Sequence, residues 1–173
     1  EGKHRRTTMK SVLLGIMYER GATAIGEQFN KSAEWAQQLI DNFYKSFPKI
    51  NQYRLKIENM AETYGYVTTI TGRKRRLPDM QLEDKDDYRY QEAHRQSLNS
   101  VIQGSSADIM KLSMIAIYND PRYKALDCHM IITVHDELIM EVPEEHIKEG
   151  AELLVGTMKR VGHSLIDLPM SVD

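Results

Sequence analysis

Two apolar runs, residues 128–134 and 138–142, are separated only by His135, Asp136 and Glu137. The simplest fold for such a pattern is a β-hairpin with a tight, acidic tip. The strands of a hairpin hold the backbone rigidly while tip side chains project beyond the sheet edge. Asp tolerates turn geometry. Adjacent acids raise the local cost of ionisation, which a divalent cation relieves. An Asp in a hairpin turn is also commonly just a turn former, so the tip by itself leaves both readings open.

The rest of the chain reads as helix-rich. Residues 5–18 carry Met9, Val12, Leu13, Ile16 and Met17 at helical spacing, with Gly21 as a candidate terminator. Ser32 is placed to cap a second helix that reaches Phe47, where Pro48 breaks it and opens a third. Gly65 stops that helix. Residues 66–70 are β-branched and aromatic and predict a strand, turned by Thr71-Gly72 and returning over residues 74–77. A long helix follows from about residue 86 to 118, with Gly104-Ser105-Ser106 as a possible bend, and Asn119-Asp120-Pro121 ends it. Pro143-Glu144-Glu145 opens a last helix to about Ser164, and residues 169–172 read as a final strand. The expected class is α+β, with a small antiparallel sheet and the acidic hairpin.

Composition narrows the function classes. At 173 residues and 41% apolar content the chain suits a globular fold with a real core. No apolar run approaches the roughly 18 residues of a membrane span. Glu1-Gly2-Lys3-His4-Arg5-Arg6 has no apolar segment behind it, which argues against a signal peptide. The single Cys128 cannot form an internal disulfide, no Cys/His cluster suggests zinc, and a reducing setting is expected. A net charge of −2 does not mark a dedicated nucleic-acid binder. Its distribution is uneven: Lys3, Arg5, Arg6 and Lys10 crowd the start, Arg73 to Arg76 are consecutive, and acids gather elsewhere. That separation suits one phosphate-facing surface, and ordinary solvated faces account for it equally well.

Two helices carry polar stripes beside their apolar ones. Arg6, Lys10, Leu14 and Tyr18 recur every four residues, on a face about 110° from the apolar stripe at roughly 100° per residue. Two cations one turn apart can grip two phosphates of one triphosphate, and an apolar and an aromatic residue beyond them can pack on a sugar and a base. In the long helix Arg95, Asn99 and Gln103 repeat the spacing. Such side chains can donate to minor-groove acceptors, whose positions are similar in every correct base pair. Taken singly, each stripe reads as readily as a solvated face.

Together these segments resemble the C-terminal part of family A DNA polymerases. Arg6-x-x-x-Lys10-x-x-x-Leu14-x-x-x-Tyr18 is similar to the family's fingers helix, Arg-x-x-x-Lys-x-x-x-Phe/Tyr-x-x-x-Tyr-Gly. The stretch from Tyr66-Val67 through Thr71-Gly72-Arg73 to Leu77-Pro78 resembles its hairpin with Gly-Arg-Arg and Leu-Pro. Arg95, Asn99 and the run from Gln103 to Ile109 resemble its primer-template helix, and Val134-His135-Asp136-Glu137 its palm motif. The resemblance implies a fingers/palm fragment, with fingers-type helices over residues 1–65 and a palm-type subdomain over 66–173. It implies DNA-directed DNA synthesis on primer-template DNA with dNTPs. Arg6 and Lys10 would hold the triphosphate, with Lys10 a candidate proton donor. Leu14 and Tyr18 would face the nucleotide and templating position. Arg73, Arg95, Asn99, Gln103 and His135 would contact DNA. Asp136, supported by Glu137, would ligate Mg2+ in a two-metal site. The implied setting is the cytoplasm of a bacterial or phage-infected cell, or an organelle.

The sequence departs from the pattern in three places. Leu14 stands where the family has Phe or Tyr, and Glu19 where it has Gly. A bulky acid takes positive φ only at a cost, so Gly21 is expected to take over the turn. The family's other metal-binding Asp lies before the fingers helix and is not in this sequence, and neither are the thumb and exonuclease domains. The chain therefore reads as a fragment that needs the missing N-terminal part and does not polymerise alone. The competing readings are a non-catalytic DNA-binding or scaffold subunit and a related single-subunit RNA polymerase.

Overall fold

The computed structural model describes residues 2–172, and side chains from residue 6 onward with the exception of residue 8. Lys3 and Arg5 of the basic start therefore lie outside the described side chains. The chain divides into two compact units, Glu1–Ile102 and Gln103–Asp173.

The first unit contains α1 (Gly2–Met17), α2 (Ala22–Gln28), α3 (Ala33–Ser46), α4 (Pro48–Tyr64), strands β1 (Tyr66–Thr68) and β2 (Lys74–Arg76), and the start of α5 (Tyr88–Asn119). Local chemistry sets several boundaries. Ser32 Oγ accepts the Trp35 N–H at 3.2 Å and starts α3. Pro48 occupies the first turn of α4, where its missing N–H costs nothing. Gly65, at φ 68, ends α4 in the left-handed region that glycine reaches without strain, and the chain leaves directly into β1. β1 and β2 pair antiparallel, with Tyr66 opposite Arg76 and Thr68 opposite Lys74.

Two cores hold this unit. Ile57 and Ala61 of α4, Val67 of β1, Leu77, Met80, and Tyr90, Ala93, Leu98 and Val101 of α5 form one. Val12 and Ile16 of α1, Ile25 of α2 and Ala36 of α3 form the other, with Phe29, Phe43 and Tyr44 packed around it. The apolar stripe expected on α1 is thus only half used. Val12 and Ile16 are buried, whereas Met9 and Leu13 are 61% and 45% exposed.

The second unit holds the rest of α5, α6 (Pro121–Ala125), β3 (His129–Val134), β4 (Glu137–Glu141) and α7 (Ile147–Leu165). Ile117, Tyr123 and Cys128 form its core with Leu138, Met140, Val142, Leu153 and Leu154 around them. The Tyr123 hydroxyl donates to Thr157 Oγ1 at 2.9 Å, with Thr157 wholly buried, and so ties α6 to α7. Burial pushes the Cys128 thiol up, which keeps it a neutral core residue.

The α+β, helix-rich class stands, with two separate two-stranded antiparallel sheets. Four expectations need correction. α1 ends at Met17, and Gly21 does not make its terminating turn. Helical backbone runs unbroken through Gly104-Ser105-Ser106, because a lone glycine lowers helix propensity without removing a hydrogen bond. Residues 169–172 form no strand, and the Met170 side chain lies against Gly162 of α7, where an added Cβ would meet its Cγ at 2.7 Å. The short helices α2 and α6 were not expected.

Ser32→Ala removes the α3 cap without touching the core, and is expected to cost about 1 kcal/mol. Urea unfolding followed by Trp35, the only tryptophan, checks this; Ser32→Asp should restore most of the loss.

Candidate active site

Within the first unit, α1 presents Lys10, Leu14 and Tyr18 to one cavity of about 680 Å3, which Arg95 of α5 also lines. The stripe read from spacing is therefore a physical surface. Lys10 and Leu14 are exposed and Tyr18 is partly buried. Arg6 is exposed one turn earlier on the same face and does not line this cavity. Arg20 donates to Gln28 at 2.7 Å and Gln28 donates to Ser11 at 2.9 Å, which braces the wall that Ser11 and Arg20 contribute. Arg95 rests against Glu92 at 2.8 Å, and this pair holds the Glu92 carboxyl below the usual range. Both partners are exposed, so the pair holds Arg95 weakly and leaves it available to an anion.

The end of α1 is unusual. Glu19 adopts φ 55, in the left-handed region. Its N–H donates to the Ile16 carbonyl at 3.0 Å, and the Arg20 N–H donates to the Gly15 carbonyl at 2.8 Å. This is the Schellman arrangement that glycine ordinarily completes. A side chain there costs about 1–2 kcal/mol. The expectation that Gly21 would replace it is overturned, since Gly21 sits at φ −59.

The Glu19 carboxylate offsets that cost. Its side chain is 9% exposed and lies 2.9 Å from His94 Nδ1 and 3.7 Å from Arg54. His94 Nε2 lies 3.4 Å from Glu58, which also pairs with Arg54. Burial pushes Glu19 up, but bonds to His94 and Glu58 and the charges of His94 and Arg54 outweigh it, so Glu19 titrates low. Burial, and then the contact with Glu19, push Glu58 up. No sequence pattern flagged this cluster, because its members come from α1, α4 and α5.

On α5, Asn99 follows Arg95 by one helical step of four and shares its face. Its side-chain Oδ1 is buried and accepts no bond among the described residues. Gln103, next in the series, opens the second unit and is exposed. Arg73 is exposed beside the β1–β2 turn, where its N–H donates to Thr69 Oγ1 at 3.2 Å. Lys74 lies over the Tyr66 ring at 4.2 Å.

In the second unit, Val134 pairs with Glu137, so the hairpin turn consists of His135 and Asp136 alone. Glu137 is the first residue of β4 rather than part of the tip. His135 takes φ 53, which lets two residues reverse the chain. His135, Asp136 and Glu137 are all exposed. Asp136 and Glu137 also line a cavity of about 620 Å3, alongside Ser113, whose buried Oγ has no partner among the described residues. A register shift between Met130 and Ile132 bends β3 before the tip.

The model for DNA polymerase family A matches residues 2–173. The chain belongs to DNA polymerase family A. It is 33% identical over 171 residues to DNA polymerase I of Chloroflexus aurantiacus, covering 99% of this chain and 18% of that protein. It is 33% identical to DNA polymerase I of Geobacillus stearothermophilus over 97% of its length, which is 19% of that protein. The POL domain of Pol1 from M. smegmatis, solved in complex with DNA primer-template and dNTP, superposes with a TM-score of 0.87 at 30% identity. That match covers 97% of this chain and 29% of the solved one. The chain thus spans under a fifth of the length of these two curated relatives. Among the described residues, no helix is long and apolar enough to cross a membrane.

The left-handed turn residue gives a sharp expectation. His135→Gly should leave stability unchanged or raise it by up to about 1 kcal/mol, whereas a β-branched His135→Val should lower it by more than about 1 kcal/mol. Thermal unfolding of the two variants checks the ordering.

Proposed function

We propose that this chain is the triphosphate- and primer-gripping part of a DNA-directed DNA polymerase, with fingers-type helices over residues 1–65 and a palm-type subdomain over 66–173. The observation that carries the proposal is the α1 face. In a chain of this family, Lys10, Leu14 and Tyr18 line one cavity with Arg95. The solved relative bound to primer-template and dNTP supports the same ligands here.

In this reading Arg6 and Lys10 hold the triphosphate of a dNTP. The primer 3′-hydroxyl gives its proton to solvent water as its oxygen attacks the α-phosphorus, the bond to pyrophosphate breaks, and Lys10 gives its proton to the leaving pyrophosphate. Leu14 faces the sugar, and Tyr18 stacks at the templating position. Arg95, Asn99 and Gln103 contact the primer-template near its terminal pair. Arg73 grips the backbone, and His135 meets the primer end. The complementary N-terminal part of the polymerase completes the enzyme, which acts in the cytoplasm of a bacterial or phage-infected cell or in an organelle.

Asp136 and Glu137 offer exposed, hard carboxylate oxygens at a rigid tip, a donor set that suits Mg2+. Asp136 would hold the ion with Glu137 in support; when bound, it supplies charge neutralisation at the phosphates and activation of the 3′-hydroxyl. Among the described residues these two acids belong to no three-ligand cluster. A second carboxylate from the complementary segment fits that incomplete set.

Primer extension tests the proposal. The purified 173-residue chain with Mg2+ and dNTPs should give no product, while a polymerase that contains it extends with dNTPs and not rNTPs. Lys10→Ala in that polymerase should lower kcat by about 10²–10⁴ with DNA affinity retained. A Lys10→Ala enzyme with full kcat would remove the proton-donor role.

A further inference from the structure

We propose that Glu19, held by His94, Arg54 and Glu58, is a positioning residue that fixes the end of the nucleotide-gripping helix against the helix carrying Arg95. The inference rests on the reading of α1 given above. It concerns a residue at which this chain departs from the family's glycine.

Four elements meet at the cluster. Glu19 sits immediately beyond α1, next to Tyr18. Arg54 and Glu58 lie one turn apart on α4. His94 lies on α5, next to Arg95. From α3, Tyr44 places its ring 5.1 Å from the Arg54 guanidinium and donates its hydroxyl to the Ile16 carbonyl of α1 at 3.4 Å. Asn51 accepts two further bonds from Arg54, at 3.0 and 3.3 Å. The guanidinium is therefore anchored before it meets the carboxylates.

Tyr18 and Arg95, the neighbours of Glu19 and His94, both line the cavity that holds Lys10. The 2.9 Å contact between Glu19 and His94 is thus a short strut behind two of the walls that meet the nucleotide. With glycine at position 19 the helix could end in the same backbone turn, but nothing would join that turn to α5. The carboxylate converts a conformational cap into a tie.

Three of these side chains bring ligand atoms within 4.8 Å of one another, the geometry of a cation site. Their charges argue for a closed network instead. Each imidazole nitrogen faces a different carboxylate, at 2.9 and 3.4 Å, an arrangement that suits a doubly protonated ring. Imidazolium and guanidinium are the counter-charges of Glu19, while Glu58 is pushed toward its neutral form, so the cluster needs no metal; among the described residues the Glu19 oxygens make close charge contacts rather than bonds of full hydrogen-bond geometry. That last feature leaves the tie dependent on charge, and therefore on the His94 proton.

The bond to Glu19 raises His94 most. Burial opposes it, the charges of Glu19 and Glu58 add to it, and Arg54 subtracts. Tyr90 stacks near the ring at 6.1 Å, and the Glu62 carboxylate also feels the imidazole charge. Arg20, Asp41 and Arg95 line the adjoining cavity. A raised folded value means the tie is complete below the ordinary histidine value of about 6.5 and is lost as pH rises through the folded value.

Single-nucleotide incorporation by a polymerase carrying this chain tests the role, with Glu19→Gln and His94→Gln approaching the tie from both sides. Both should raise the dNTP KM, by up to about a hundredfold, with kcat little changed, and both should flatten the alkaline rise in KM of the unaltered enzyme. In NMR titrations of the 173-residue chain, His94 should titrate above the ordinary value and fall in Glu19→Gln. An unchanged KM in both variants, or an unshifted His94, overturns the positioning role while leaving the polymerase reading intact. Calorimetric uptake of Zn2+ that Glu19→Gln abolishes overturns it in favour of a metal site. No incorporation by the unaltered enzyme defeats the reading of α1 itself, and the positioning role with it.

Discussion

What the first unit can present to a nucleotide depends on how α1 ends. Lys10 and Leu14 of α1 and Tyr18 just beyond it line one cavity, so the way the helix ends sets where Tyr18 stands. Glycine would fix it by backbone preference alone. Here a left-handed Glu19 does so with a buried carboxylate against His94 and Arg54. The local strain, about 1–2 kcal/mol, is opposed by the attraction of His94 and Arg54 for that carboxylate. Residues of α4 and α5 therefore take part in holding the turn.

The second unit rests on a different constraint. Its hairpin turns in two residues, which forces His135 into the left-handed region and sets Asp136 beyond the strand ends. The strands are anchored on one side only. Leu138 and Met140 pack toward Tyr123 and Cys128, whereas Ile131, Ile132, Val134 and Ile139 are 44–53% exposed. A two-stranded hairpin is marginal by itself.

Much of this was legible in the sequence where the cause is local. Pro48 and Gly65 fix the ends of α4, Ser32 caps α3, and the break between the apolar runs at His135-Asp136-Glu137 locates the hairpin, although Glu137 belongs to β4 rather than to the tip. Of the stripe on the first helix, Lys10, Leu14 and Tyr18 line one cavity, since helical spacing is a property of the backbone, while Arg6 stays outside it. What failed was non-local. The rule against an acid at positive φ is sound for an isolated turn, but it cannot see Arg54 or His94, which lie far along the chain. Met9 and Leu13 fit the apolar stripe of α1 yet stay 61% and 45% exposed. The strand expected over residues 169–172 had the right composition, but its Met170 packs on Gly162 instead of pairing with a strand. α2 and α6, at seven and five residues, are too short to show a period.

The central claim is that Asp136 belongs to a nucleotidyl-transfer site. Single-turnover primer extension by a polymerase carrying Asp136→Asn tests it most directly, because the substitution keeps the side-chain shape and removes the charge. The account predicts a loss of at least about 10³-fold in the rate of bond formation, with primer-template binding and the fold retained. Extension at close to the unaltered rate would contradict it.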